Sequence, residues 1–209
     1  MDLPAGPVYV PRDKDAELDA KLARGGLVLL VGDSTAGKSR AAYEAIHRLF
    51  GQRWLLVPHA RGSLRTLLDG GVELREAVIW LNDLERWLGP DGLDVGLLRR
   101  LIGDGRRQVV VVATMRASEY AARTPTQEQG RSDAERELRR AEREVLDQAT
   151  RVELARRFTG PERQRAEQRA WDPRIADALA HAGADGLAEY LAAGPRLWQR
   201  WLGGVQDLV

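Results

Sequence analysis

Apolar residues along this chain fall into short unbroken runs separated by longer amphipathic stretches, and that alternation predicts the elements. Leu27-Val28-Leu29-Leu30-Val31, Trp54 to Val57, Ala77-Val78-Ile79-Trp80-Leu81 and Val109 to Val112 (within Gln108–Thr114) are strand-length runs without polar alternation. Runs of that kind fit strands covered on both faces, as in a parallel sheet. Helices are predicted over residues 13–24, with Ala16, Leu18 and Leu22 as sparse apolar positions, and over Ser39–Leu49, with Ala41, Ala42, Ala45, Ile46 and Leu49 on one side. Two more are predicted over Ser63–Asp69 and Asp94–Ile102, and Gly25-Gly26, Pro58, Gly92 and Gly103 supply the breaks. The alternation implies βαβ units in a doubly wound, mainly parallel α/β sheet, with the strand C-termini along one ligand-binding edge.

The pattern changes after residue 123. Arg131 to Gln148 is strongly charged, with Glu and Arg three or four apart and Leu138, Val145 and Leu146 as its few apolar positions, which predicts a solvated helix on the domain's face. Arg151 to Leu154 alternates as a fifth strand, and Thr159-Gly160-Pro161-Glu162 reads as a capping box. Short helices punctuated by Pro173, Gly183, Gly186 and Gly194-Pro195 follow. The expected organisation is an α/β domain over 1–158 and a helical lid or bundle over 159–209.

Composition narrows the chemistry. With 209 residues the chain can bury a proper core, and a formal net charge of +1 gives no global field for nucleic acid. No direct nucleic-acid contact is expected. There is no Cys, hence no disulfide or thiolate, and His47, His59 and His181 lack metal-ligand spacing. The longest apolar run is too short to span a membrane, and the N-terminus has no basic region followed by an apolar core, so a cytoplasmic chain is expected. Lys occurs only at positions 14, 21 and 38 in an Arg-rich chain, which makes Lys38 conspicuous. Trp80, Trp87, Trp171, Trp198 and Trp201 lie within apolar patterns and are expected in core or interface packing.

Lys38 belongs to Gly-x-x-x-x-Gly-Lys-Ser over 32–39, which follows a predicted strand and opens a predicted helix. Glycines let consecutive N–H groups turn inward toward phosphates, and the helix adds its positive end. Gly32, Asp33, Ser34, Thr35, Ala36, Gly37, Lys38, Ser39 and the following Arg40 are therefore the expected nucleotide-binding residues, holding ATP or ADP. Lys38 serves the β- and γ-phosphates and the Ser39 hydroxyl ligates Mg²⁺. Trp80-Leu81-Asn82-Asp83 reads as an acidic strand end next to the loop's own strand, bringing a carboxylate to the metal. Two registers are open: Asn82 on the metal's water shell with Asp83 as base, or Asp83 on the metal with Glu85 beyond it. Asp83 is also placed to N-cap Leu84–Leu88. Thr114-Met115-Arg116 ends another strand with a hydroxyl and a guanidinium that could reach the γ-phosphate.

In this order the pieces resemble the nucleotide-binding core of STAND ATPases, the signal-transduction NTPases that include NB-ARC and NACHT proteins. Tyr9-Val10-Pro11-Arg12-Asp13 occupies the place of that family's apolar-apolar-Gly-Arg-acid segment beside the adenine, with Pro for Gly. The loop at 32–39 and the strand end at 82–83 match, apart from Asn82, and Thr114-Met115-Arg116 matches the first sensor. Ala193-Gly194-Pro195-Arg196 stands where the family has Gly-x-Pro, here with Gly and Pro adjacent. The resemblance implies Val10, Arg12 and Pro195 near the base. It also implies ADP clamped between core and helical domain, exchange for ATP exposing a self-association surface, slow hydrolysis resetting the switch, and effector and sensor domains beyond this chain. Other readings are a small-molecule kinase with Asp83 as base, a motor drawing a finger from Arg99, Arg100, Arg106 or Arg107, and a binding module without turnover. The absence of an Asn/Thr-Lys-x-Asp motif tilts toward adenine.

Overall fold

The structure is a computed structural model, and it describes residues 6–103, 108–124, 132–183 and 186–191. Its strands are β1 (Gly26–Gly32), β2 (Trp54–Leu56), β3 (Ala77–Leu81), β4 (Val110–Arg116) and β5 (Ala149–Glu153). They form one five-stranded sheet in the order β2-β3-β4-β1-β5, and every pairing is parallel. The helices are α1 (Asp15–Arg24), α2 (Lys38–Phe50), α3 (Ser63–Asp69), α4 (Val95–Ile102), α5 (Ala117–Arg123), α6 (Asp133–Asp147), α7 (Gly160–Glu167) and α8 (Pro173–His181), with a 3₁₀ turn over Leu84–Arg86.

The unbroken apolar runs are explained by cover on both faces. Leu27, Leu29 and Val31 of β1 pack with Leu64 of α3, Leu97, Leu98 and Leu101 of α4, and Val145 and Leu146 of α6. The alternate residues Val28 and Leu30 pack with Leu18 and Leu22 of α1 and with Ala41, Ala42, Ala45 and Ile46 of α2. β3 and β4 divide in the same way, because successive strand side chains point to opposite faces. A third cluster joins Val10 to Ala166, Ile175, Ala178 and Leu187, so the N-terminal segment packs on the C-terminal helices.

The place of β3 differs from the expected one: this strand, which leads into Asn82-Asp83, does not lie beside β1, for β4 stands between them and pairs with both. Apolar runs announce burial, but sheet order depends on which all-Val strand takes the centre, and no single run encodes that. α5 was not predicted, for it buries no residue and carries no apolar stripe. Trp80 and Trp87 pack partly buried against the two main clusters. Trp171, expected inside, is 62% exposed in the turn between α7 and α8; Trp198 and Trp201 lie outside the described residues. The charged segment forms α6 with the Ser132–Glu135 capping box, and α7 begins with the predicted Thr159–Glu162 box. Among the described residues no helix is long and apolar enough to cross a membrane.

Asp172, fully buried, fastens the N-terminal segment to α8. It accepts from the Val8 N–H at 2.9 Å, the Arg174 N–H at 3.0 Å and the Arg174 guanidinium at 2.9 Å. The Arg174 bonds, aided by the backbone donors and opposed by burial, hold its carboxyl down at about 2. A depressed folded-state value means its contribution is complete above the ordinary carboxylate pKa and is lost as pH falls toward 2. Urea unfolding between pH 5 and pH 2 should therefore show wild-type stability falling more steeply than that of Asp172→Asn. Parallel pH profiles for the two proteins would refute this role.

Candidate functional site

The loop over 32–39 runs from the end of β1 into the first turn of α2, and two glycines make its path possible. A Cβ on Gly32 would stand 2.4 Å from the Leu154 carbonyl oxygen, where no side chain fits. Gly37 sits at the α2 N-cap with φ +87°, a left-handed conformation that costs other residues energy. The Ala36 N–H donates to Asp33 O at 3.3 Å, and the first helical bond runs from the Ala41 N–H to Gly37 O at 2.9 Å. The N–H groups of residues 38–40 therefore precede the helical ladder, and no side chain caps them. An uncapped start of a 13-residue helix presents its donors and its positive dipole end to the loop.

Lys38, 8% exposed, folds back over the loop and donates to Gly32 O at 2.9 Å and Asp33 O at 2.7 Å. Burial lowers its pKa, with Arg116 acting in the same direction, while Asp83, Glu85 and Asp33 pull it up. Ser39 donates its hydroxyl to Asn82 Oδ1 at 2.9 Å, and the buried Thr114 hydroxyl donates to the same oxygen at 3.1 Å. Thr114 Oγ1 in turn accepts from the Asp83 N–H at 3.1 Å, and the Trp87 indole donates to Asn82 O at 3.1 Å. The start of α2 and the ends of β3 and β4 are thereby tied at one point. Hydroxyl, amide and carboxylate oxygens from Ser39, Asn82 and Asp83 are a hard donor set that fits Mg²⁺.

Asp83 takes the N-cap position of the 3₁₀ turn, but its side chain caps nothing there, contrary to the capping expectation. Its φ of +55° is unusual for a residue with a side chain. Glu85 follows, with Oε2 buried and without a hydrogen-bond partner among the described residues. Burial raises its carboxyl pKa, helped by Asp83 and Glu119 and opposed by Arg116. Arg116 is exposed at the end of β4, in register with Gly32.

On the other side of Gly37 lies a cavity of about 250 Å³, lined by Val8, Tyr9, Val10, Arg40, Phe158 and Leu191 among others. The Tyr9 hydroxyl donates to Asp15 Oδ1 at 2.7 Å, and burial raises its pKa. Arg40 pairs with Glu44 at 2.8 Å. Arg12 lines the cavity as a fastening. It donates to Ala36 O at 2.9 Å and Ala155 O at 2.6 Å, ion-pairs with Glu162 at 2.9 Å, and stacks over the Phe158 ring at 4.4 Å. Val10 and Arg12 both line this cavity beside the loop. Ser34 and Thr35 are within the loop, and Pro195 lies outside the described residues. Sequence reasoning missed Phe158 and Glu162, whose only signal was the capping box beginning at Thr159.

A Gly-rich loop between the sheet's inner strand and its helix, in a five-stranded parallel sheet with helices on both faces, defines a P-loop NTPase fold. No protein-family profile matches the chain, and no curated protein matches it. Among solved structures it is similar to the Walker-type ATPase PABY2304 of Pyrococcus abyssi, with a TM-score of 0.48 and 13% identity over 91% of this chain and 68% of that one. The fold assignment rests on the sheet order and the loop.

Proposed function

We propose that this chain binds ATP or ADP with Mg²⁺ as a regulatory switch of the STAND type, with slow ATP hydrolysis and nucleotide-dependent self-association. Residues 1–158 are the nucleotide-binding core and 159–209 the helical lid. The observation that carries this reading is the place of Arg12: one guanidinium bonds the loop at Ala36 and pairs with Glu162 at the start of α7. A change in the loop therefore reaches the helical segment through a buried contact.

In this reading the base occupies the apolar cavity beside Val10 and Arg12. The loop N–H groups and Lys38 hold the phosphates. Ser39 would hold Mg²⁺, with Asn82 on the ion's water shell, and the ion would neutralise phosphate charge as it develops. Asp83 orients and deprotonates the attacking water, and Arg116 contacts the γ-phosphate. Lys38 exchanges its bonds to Gly32 and Asp33 for phosphate oxygens, which are stronger acceptors for an ammonium.

The test is solution mass by light scattering with Mg-ATP and with Mg-ADP, and phosphate release on the same samples. The expected result is a larger mass with Mg-ATP, slow release, and roughly 100-fold slower release in Asp83→Asn. Equal masses with both nucleotides would sink the switch. The neutral Asn82 on Ser39 favours a second reading, a binding module without turnover, and binding without any phosphate release would establish it.

A further inference from the structure

A second cavity of about 260 Å³ opens at the same sheet edge, between the segment after β2 and the end of β3. Its walls include His59, Arg61, Trp80, Asn82, Arg86 and Trp87. Among the described residues no carboxylate lines it. Most arginines among the described residues are matched to acids, as with Arg12–Glu162, Arg48–Asp19, Arg65–Asp94 and Arg123–Glu142. Arg61 and Arg86 have no acidic partner among the described residues. Arg61 is nonetheless held in place, its Nε donating to Arg86 O at 3.0 Å. Asn82 is shared with the Ser39 site, its backbone carbonyl fixed by the Trp87 indole.

From this we infer that the cavity is a binding site for a small oxyanion, the phosphate or carboxylate group of a second ligand, lying beside the position of the terminal phosphate. Guanidinium groups offer planar paired donors suited to such oxygens. The two indoles, half-buried, take water from one side of the site and strengthen those bonds. The second site stands whether or not nucleotide occupies the loop, and Lys38→Ala separates the two.

The experiment titrates inorganic phosphate, and separately succinate, into wild type, Lys38→Ala and the double variant Arg61→Gln/Arg86→Gln. Calorimetry reads binding, with and without saturating Mg-ADP. Binding of either anion that persists in Lys38→Ala, and weakens at least tenfold in the double variant, supports the site. The stronger anion of the two identifies the ligand's group. Unfolding temperature and Mg-ADP affinity of the double variant, both expected near wild type, show that it folds. Anion binding lost in Lys38→Ala but kept in the double variant assigns the anion to the loop and overturns the proposal, as does no binding in any protein.

Discussion

Replacing Arg12 with Ala lowers the unfolding free energy by about 3–5 kcal/mol, the loss expected when one partner of a buried ion pair is removed. Both side chains are nearly sealed from water, at 4% for Arg12 and 3% for Glu162. Without Arg12 the Glu162 carboxylate keeps the Asp13 and Thr159 N–H donors but loses its counter-charge. The carbonyls of Ala36 and Ala155 lose their guanidinium donors. At roughly 2–4 °C per kcal/mol for a chain of this size, the unfolding midpoint falls by about 6–20 °C. Arg12→Lys falls between, because an ammonium cannot span three acceptors in different directions. Scanning calorimetry reads the series, and a midpoint for Arg12→Ala within about 2 °C of wild type would remove the fastening from the account.

Lys38→Ala acts on affinity. Removing a charge-assisted donor from a partly buried phosphate site costs roughly 3 kcal/mol, so Mg-ADP binding weakens about 100-fold or more. The lost bonds to Gly32 and Asp33 are local to the loop, and the sheet beneath it is unaffected. The unfolding midpoint without nucleotide is therefore expected near wild type, which separates this variant from Arg12→Ala. Isothermal calorimetry checks it directly, and undiminished Mg-ADP binding in a folded Lys38→Ala protein would remove the loop from the binding site.

The two variants divide the fold into what sequence pattern shows and what it hides. Lys38 was legible because a loop motif is local: glycines, lysine and hydroxyl lie within eight consecutive positions at the end of a strand. The strands were legible for a related reason, since Leu27–Val31 and Ala77–Leu81 have no polar face and so require cover on both sides. The Arg12–Glu162 pair was not, because its partners are 150 positions apart and each has another local reading, Arg12 as a motif residue and Glu162 as a helix cap. The insertion of β4 between β1 and β3 was hidden in the same way. Pattern gives each strand's burial, while order is a property of the whole sheet. Asn82 was seen as a departure from an acid, but its bonds to Ser39 and Thr114 emerge only when three elements meet. The cavity with Arg61 and Arg86 was invisible for want of any signal that those two arginines, among so many, would line one cavity.

In the proposed function an adenine nucleotide lies across Gly37, with its base in the cavity of Val10 and Phe158 and its phosphates on Lys38. Photolabelling with 8-azido-ADP in the presence of Mg²⁺, followed by peptide mass mapping, tests it most directly. The account predicts label on the segment around residues 7–12 or on that around Phe158 and Leu191, blocked by excess Mg-ADP and lost in Lys38→Ala. Specific label confined to other segments, or label that Mg-ADP does not displace, would contradict it.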